Sequence, residues 1–172
     1  AFTILNDIAE RSAAHPRAVA AALLAANLAA ARGDRASVDR LTERALRAAP
    51  YAVDRISVLV LQADAAFAAQ AWQAAAGLYG AARSAIEQDR IMARRMPAES
   101  AFRMAIASQR IGRNDEASRL YGEVVSRESD PQVLLASYTA LSMLAEARND
   151  LPRASSYMQE AARVSAAAGG DA

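Results

Sequence analysis

The sequence has no cysteine, no lysine, only five prolines and seven glycines, and 5% aromatic residues. Without cysteine there is no disulfide framework and no thiolate chemistry, and cytoplasm and periplasm suit the chain equally. With so few prolines and glycines, little interrupts long helices. Long apolar runs are lacking too. The most apolar stretch, Ile56 to Leu61, is short and Asp64 soon follows, so direct membrane insertion is not expected. No signal peptide is visible, and the chain starts without methionine inside an amphipathic pattern. It reads as one domain, 1–172, cut from a longer protein. An excess of one charge is also missing: 20 basic and 19 acidic residues leave a net charge of +1. That balance argues against a nucleic-acid or membrane-surface binder. An RNA-binding repeat in particular would need a basic groove and stacking aromatics.

Catalytic parts are equally scarce. His15 is the single histidine, with no cysteine or second histidine to complete a metal site. Gly169-Gly170 lies in a tail and forms no phosphate loop, and the serines lie outside any nucleophile elbow. Asp115-Glu116 sits at a helix start, where the macrodipole accounts for both carboxylates. No enzyme and no cofactor are expected.

What is present is alanine. The chain is 53% apolar, and much of that is the best helix former. Alanine is also small, so an alanine core must bring helices close together. All basic residues are arginine; with the alanine bias this reads as a GC-rich bacterial source.

The chain repeats itself. Pro16 and Pro50 lie 34 residues apart, as do Pro97 and Pro131; the middle gap is 47. The excess in that gap predicts longer helices in the middle unit. A second pattern is a small residue, then alanine 12 later, a bulky residue 4 later and a small residue 3 later. Ala63, Ala75, Tyr79 and Ala82 fit it, as do Ala105, Ala117, Tyr121 and Val124. Ser142, Ala154, Met158 and Ala161 fit as well. Ala26, Val38, Thr42 and Ala45 fit loosely, with threonine at the bulky place. Turn signals fall between the first two members: Gly33-Asp34, Gly112-Arg113-Asn114 and Asn149-Asp150. Asp34, Asn114 and Asp150 are the expected caps of the next helix, with Pro152 in the first turn of the last one. The second unit has only Gln70-Ala71 there. Predicted helices are 2–14, 17–32, 36–48, 52–69, 72–95, 98–111, 115–127, 132–148 and 152–168.

Over roughly residues 17–168 this pattern resembles the tetratricopeptide repeat family, with its small residues where helices A and B cross and its aromatic knob on helix B. The resemblance implies an all-α, right-handed solenoid of about four antiparallel helix pairs. The first helix, with Phe2, Ile4, Leu5 and Ile8, is then an orphan helix B. The 47-residue spacing departs from the family, whose large residue near the start of helix A appears only as Leu59 and Tyr138.

The resemblance also implies function: a scaffold whose helix-A groove holds a partner's peptide or helix. Carried over by offset from the crossing residue, the groove positions are Leu23, Asn27 and Ala30, then Val60, Asp64 and Phe67. They continue as Phe102, Ile106 and Gln109, then Thr139, Met143 and Glu146. Phe67 and Phe102 can equally be core, Met143 packing, and Asp64 a satisfied structural carboxylate. Arg90, Arg94, Arg95, Arg103, Arg110 and Arg113 form a basic cluster. It is either a solvated face balanced by Glu87, Asp89 and Glu99 or a site for an acidic segment. Asn27 and Arg103 fall on two positions of the family's chaperone-tail clamp, but Leu23 stands where a lysine is needed, so that binding is not expected. The alternative function is self-assembly through terminal helices, as a homo-oligomer or an array in a bacterial envelope or polysaccharide (for example cellulose) export complex.

Overall fold

A computed structural model describes residues 2–11, 16–48, 52–88, 96–128 and 130–169. Among them the chain is all-α: α1 (Phe2–Arg11), α2 (Pro16–Ala30), α3 (Arg35–Ala48), α4 (Ala52–Ala68), α5 (Trp72–Gln88), α6 (Ala98–Arg110), α7 (Asn114–Val125), α8 (Pro131–Glu146) and α9 (Leu151–Gly169). The predicted helices agree with these to within a residue or two wherever both ends are described. Residues 12–14 and 89–95, predicted as helix, lie outside the described residues. The chain divides into two compact units, Ala1–Met96 and Pro97–Ala172.

In the first unit α2 packs on α3 and α4 on α5, with α1 against α2. In the second, α6 packs on α7 and α8 on α9, and α7 also packs against α8. The pairs are antiparallel because each is joined by the same tight turn. The residue after the helix takes a left-handed conformation: Gly33 (φ 71), Gln70 (φ 56), Gly112 (φ 79) and Asn149 (φ 60). The next N–H then reaches back five residues: Asp34 to Ala29 O, Ala71 to Ala66 O, Arg113 to Ser108 O and Asp150 to Ala145 O, all at 2.9–3.0 Å. This doubly bonded C-cap satisfies carbonyls that the helix end leaves open. Glycine and asparagine tolerate positive φ; glutamine does not, which is why the second turn has no signature in the sequence. Gln70→Gly is expected to stabilise the protein by about 1 kcal/mol, a rise in Tm of roughly 2–4 °C, measurable by thermal melting. An unchanged or lowered Tm would contradict the strain assigned to this residue.

The same register corrects one expected cap. The N-cap is always the residue after the left-handed one. Asp34 and Asp150 hold that place, and their carboxylates accept from Ser37 N (3.1 Å) and Arg153 N (3.2 Å). The Ser37 bonds also hold the Asp34 carboxyl below its ordinary pKa. Asn114 sits one position too late: Arg113 occupies the N-cap of α7, with no side-chain cap bond. Asp130 caps α8 instead, accepting from Gln132 N at 2.8 Å with Pro131 in the first turn.

In the 47-residue gap α4 and α5 have 17 residues each, against 15 and 14 in α2 and α3 and 13 and 12 in α6 and α7, while α8 and α9 have 16 and 19; residues 89–95 of the gap lie outside the described residues. The repeat pattern places the core. Ala26, Ala63, Ala105 and Ser142 are buried, as are Val38, Ala75, Ala117 and Ala154 one helix later. Of the residues at the bulky position, Thr42, Tyr79 and Tyr121 are buried, while Met158 is 51% exposed. That departs from its expected knob role. Among the described residues only α8 packs closely against α9.

Ser142 at the last crossing donates from its hydroxyl to Ala154 O at 3.0 Å, tying α8 to α9. Ser137 of α8 is fully buried, yet its Oγ has no hydrogen-bond partner among the described residues. A buried, unpaired hydroxyl costs about 1–3 kcal/mol. Ser137→Ala is therefore expected to raise stability by about 1 kcal/mol, read from urea midpoints; a loss of stability would mean that the hydroxyl has a partner.

Candidate functional site

The helix-A positions in the first unit converge on a cleft of about 330 Å³ between α2 and α4. Asn27 and Ala30 contribute from α2; Leu61, Asp64, Ala65 and Ala68 contribute from α4. The turn residues Gly33, Arg35 and Ala69 and the α3 residue Val38 complete it. Val38 and Leu61 are buried, so the floor is apolar, and the small alanines leave the space. The polar groups are held in place. Asn27 Nδ2 donates to Leu23 O at 3.1 Å, and Asp64 Oδ1 accepts from the Tyr79 hydroxyl. Both readings of Asp64 are therefore realised: it is half-buried and hydrogen-bonded, and it lines the cleft.

Three of the expected groove positions in this unit, Asn27, Ala30 and Asp64, share the cleft. Three do not line it. Leu23 is half-buried and packs on two core clusters, one around Val19 and Val58, the other around Leu41 and Leu61. Val60 is half-buried, and Phe67 sets its ring edge-on to Trp72 at 5.3 Å between centroids.

In the second unit Phe102 packs edge-on against Tyr121, with centroids 6.1 Å apart. Each phenylalanine thus has an aromatic neighbour on the following helix B. Gln109 Oε1 accepts from the Tyr121 hydroxyl at 2.9 Å. Arg103 pairs with Glu99 on its own helix, Ile106 is half-buried, and Arg110, Met143 and Glu146 are exposed. Arg113 lies 3.7 Å from Glu116, and Glu87 pairs with Arg83. Arg90, Arg94, Arg95 and Asp89 lie outside the described residues, as does His15. Among the described residues no group of three or more histidine, aspartate or glutamate side chains is placed to hold a metal ion. No helix among them is long and apolar enough to cross a membrane.

The knob hydroxyls are what sequence reasoning missed. Tyr79 reaches back to Asp64, Tyr121 to Gln109, and at the same position Thr42 Oγ1 donates to Val38 O at 2.7 Å and accepts from Gln62 Nε2 at 2.9 Å. The choice of tyrosine over phenylalanine was the available signal, since a buried phenol seeks a partner. Burial pushes the Tyr121 hydroxyl up to about 12, against a smaller lowering by the Arg110 charge. A raised pKa means that the folded state favours the protonated phenol. Its contribution is full below the ordinary value of 10 and is lost as pH rises from there through about 12. Ultraviolet titration of the wild type against Tyr121→Phe should show one tyrosine ionising with loss of helicity in that window. A wild-type minus Tyr121→Phe difference that titrates near 10 in the folded protein would contradict the burial argument.

Three solved structures share this arrangement. MamA AMB-1 superposes with a TM-score of 0.71 at 20% identity, covering 94% of this chain and 79% of that one. A second MamA structure gives 0.72 at 15% identity, covering 98% and 91%. A Podosopora anserina putative kinesin light chain with nearly identical TPR-like repeats gives 0.70 at 19%, covering 97% and 86%. The chain has the helical-repeat fold of these structures. At these identities the likeness shows the fold alone. No protein-family model matches the sequence, and no curated protein does. In terms of that fold, α2, α4, α6 and α8 are the first helices of the four pairs.

Proposed function

We propose that this tetratricopeptide-type domain is a protein-interaction scaffold that seats a partner's peptide or helix on its helix-A surfaces, and that it binds rather than catalyses. The observation that carries the reading is the cleft between α2 and α4, with Asn27 and Asp64 fixed over an apolar floor. A concave, largely apolar site with a few fixed polar groups suits a peptide that inserts one apolar side chain. Leu23 packs on the cluster that contains the floor residue Leu61, and Val60 and Phe67 remain candidate groove positions. In the second unit Phe102, Arg103, Ile106, Gln109, Arg110, Met143 and Glu146 are the corresponding candidates.

A displayed peptide library selected on the intact chain tests this. Peptides enriched on the wild type are expected to lose at least tenfold in affinity for Ala65→Trp, which fills the cleft, while circular dichroism stays unchanged. Enriched peptides that bind the filled variant equally well would overturn the reading. A second reading, self-assembly into an oligomer or array of the kind used in envelope and polysaccharide-export complexes, is favoured by exposed apolar side chains on terminal helices. Ile4 of α1 is 65% exposed and Leu151 of α9 62%.

A further inference from the structure

The cleft between α2 and α4 carries a polar pattern that restricts what can enter it. Asn27 and Asp64 each follow the crossing residue of their helix, Ala26 and Ala63, so they line the cleft at one register. At the crossings of α6 and α8 the following residues are Ile106 and Met143. A carboxylate at this place is therefore particular to α4. Asp64 is half-buried, and the Tyr79 hydroxyl donates to its Oδ1. A neutral phenol fixes the carboxylate without cancelling its charge. A carboxylate also offers about four acceptor positions, so this bond does not saturate it. Asn27 donates from Nδ2 to Leu23 O at 3.1 Å and brings Oδ1 as a second acceptor. Arg35 adds a cation to the lining, but Asp39 lies 3.8 Å from it and offsets its charge.

An apolar side chain inserted over Val38 and Leu61 takes water away from Asp64. Removing water from a carboxylate is costly unless a donor replaces it. A cation does so best, because charge-assisted hydrogen bonds are about twice as strong as neutral ones. An acidic residue there would meet like charge.

We propose that the peptide seated in this cleft carries an arginine or lysine beside its inserted apolar side chain, with the cationic head on Asp64 and Asn27. The inference rests on the peptide-binding reading and names the chemistry of the partner. Ala30, Ala65 and Ala68 give the methylenes of a long basic side chain an apolar wall, while its head stays at the wet rim.

Parallel selection of a displayed peptide library on the intact wild-type chain, Ala65→Trp and Asp64→Asn tests the proposal. Peptides that bind the wild type at least tenfold better than Ala65→Trp define the cleft ligands. These are expected to share an arginine or lysine adjacent or next but one to an apolar residue. Their affinity should fall at least tenfold for Asp64→Asn with unchanged circular dichroism, and should weaken from low to moderate salt. If Asp64→Asn loses helicity, norleucine in place of the shared basic residue of the peptide carries the test on the wild-type chain. Absence of any cleft ligand overturns both the inference and the peptide-binding reading. Cleft ligands that share no basic residue, or that bind equally well after Asp64→Asn or the norleucine change, overturn the inference alone.

Discussion

Tyr121→Ala, and separately Tyr79→Ala, is expected to lower stability by about 3–5 kcal/mol. Both side chains are buried, at 2% and 0% exposure, so truncation leaves a cavity that alanine-rich neighbours are too small to fill. The magnitudes decide which feature of the tyrosine matters. The hydroxyl bond from Tyr121 to Gln109 contributes about 1 kcal/mol. The edge-on contact with Phe102 contributes about 0.5–1.5 kcal/mol. Volume is the largest contribution, so Tyr121→Phe should cost far less than Tyr121→Ala. Urea titrations of the three proteins check the order, and an alanine variant no less stable than the phenylalanine one would sink the knob assignment. Tyr79 should lose somewhat more on hydroxyl removal than Tyr121, because its acceptor is a carboxylate.

The second large effect comes from adding atoms. Ala75, Ala105 and Ala117 are fully buried where helices A and B cross. Leucine at Ala75 or Ala105 must push the two helices apart or adopt a strained rotamer, at a cost of about 1–3 kcal/mol or more. The repeat's tight turn cannot relax to accommodate this, because Ala71 and Arg113 are bonded back to Ala66 and Ser108. Ala74→Leu, one residue along on the exposed side of α5, should change stability by less than about 0.5 kcal/mol. Thermal melts of Ala75→Leu and Ala74→Leu that coincide would refute the close crossing.

Much of this was legible because a helical repeat is written in local terms. Alanine content, proline spacing and the small–small–bulky–small pattern are properties of a few consecutive turns. They determined the helices, the crossing alanines, three of the four A–B turns and the helical-repeat fold. Other features depend on groups the local pattern does not connect. Gln70 takes a left-handed conformation because packing of α4 on α5 outweighs a penalty of about 1–2 kcal/mol, and no residue preference announces it. Arg113 rather than Asn114 caps α7 because the doubly bonded turn sets the register, not the better capping side chain. Asp64 looked like either a groove contact or a structural carboxylate, and only the Tyr79 hydroxyl and the cleft showed it to be both.

The sequence by itself determined that this chain builds antiparallel helix pairs and which small residues lie at their crossings, because helix propensity and apolar period act within each segment. The tertiary structure alone decided which equivalent positions are covered. Tyr121 has α8 packed against its helix, whereas no further described helix packs closely on the side of α9 that carries Met158. The same position in the repeat is therefore buried at Thr42, Tyr79 and Tyr121 and open at Met158, because burial depends on the neighbour as well as on the residue.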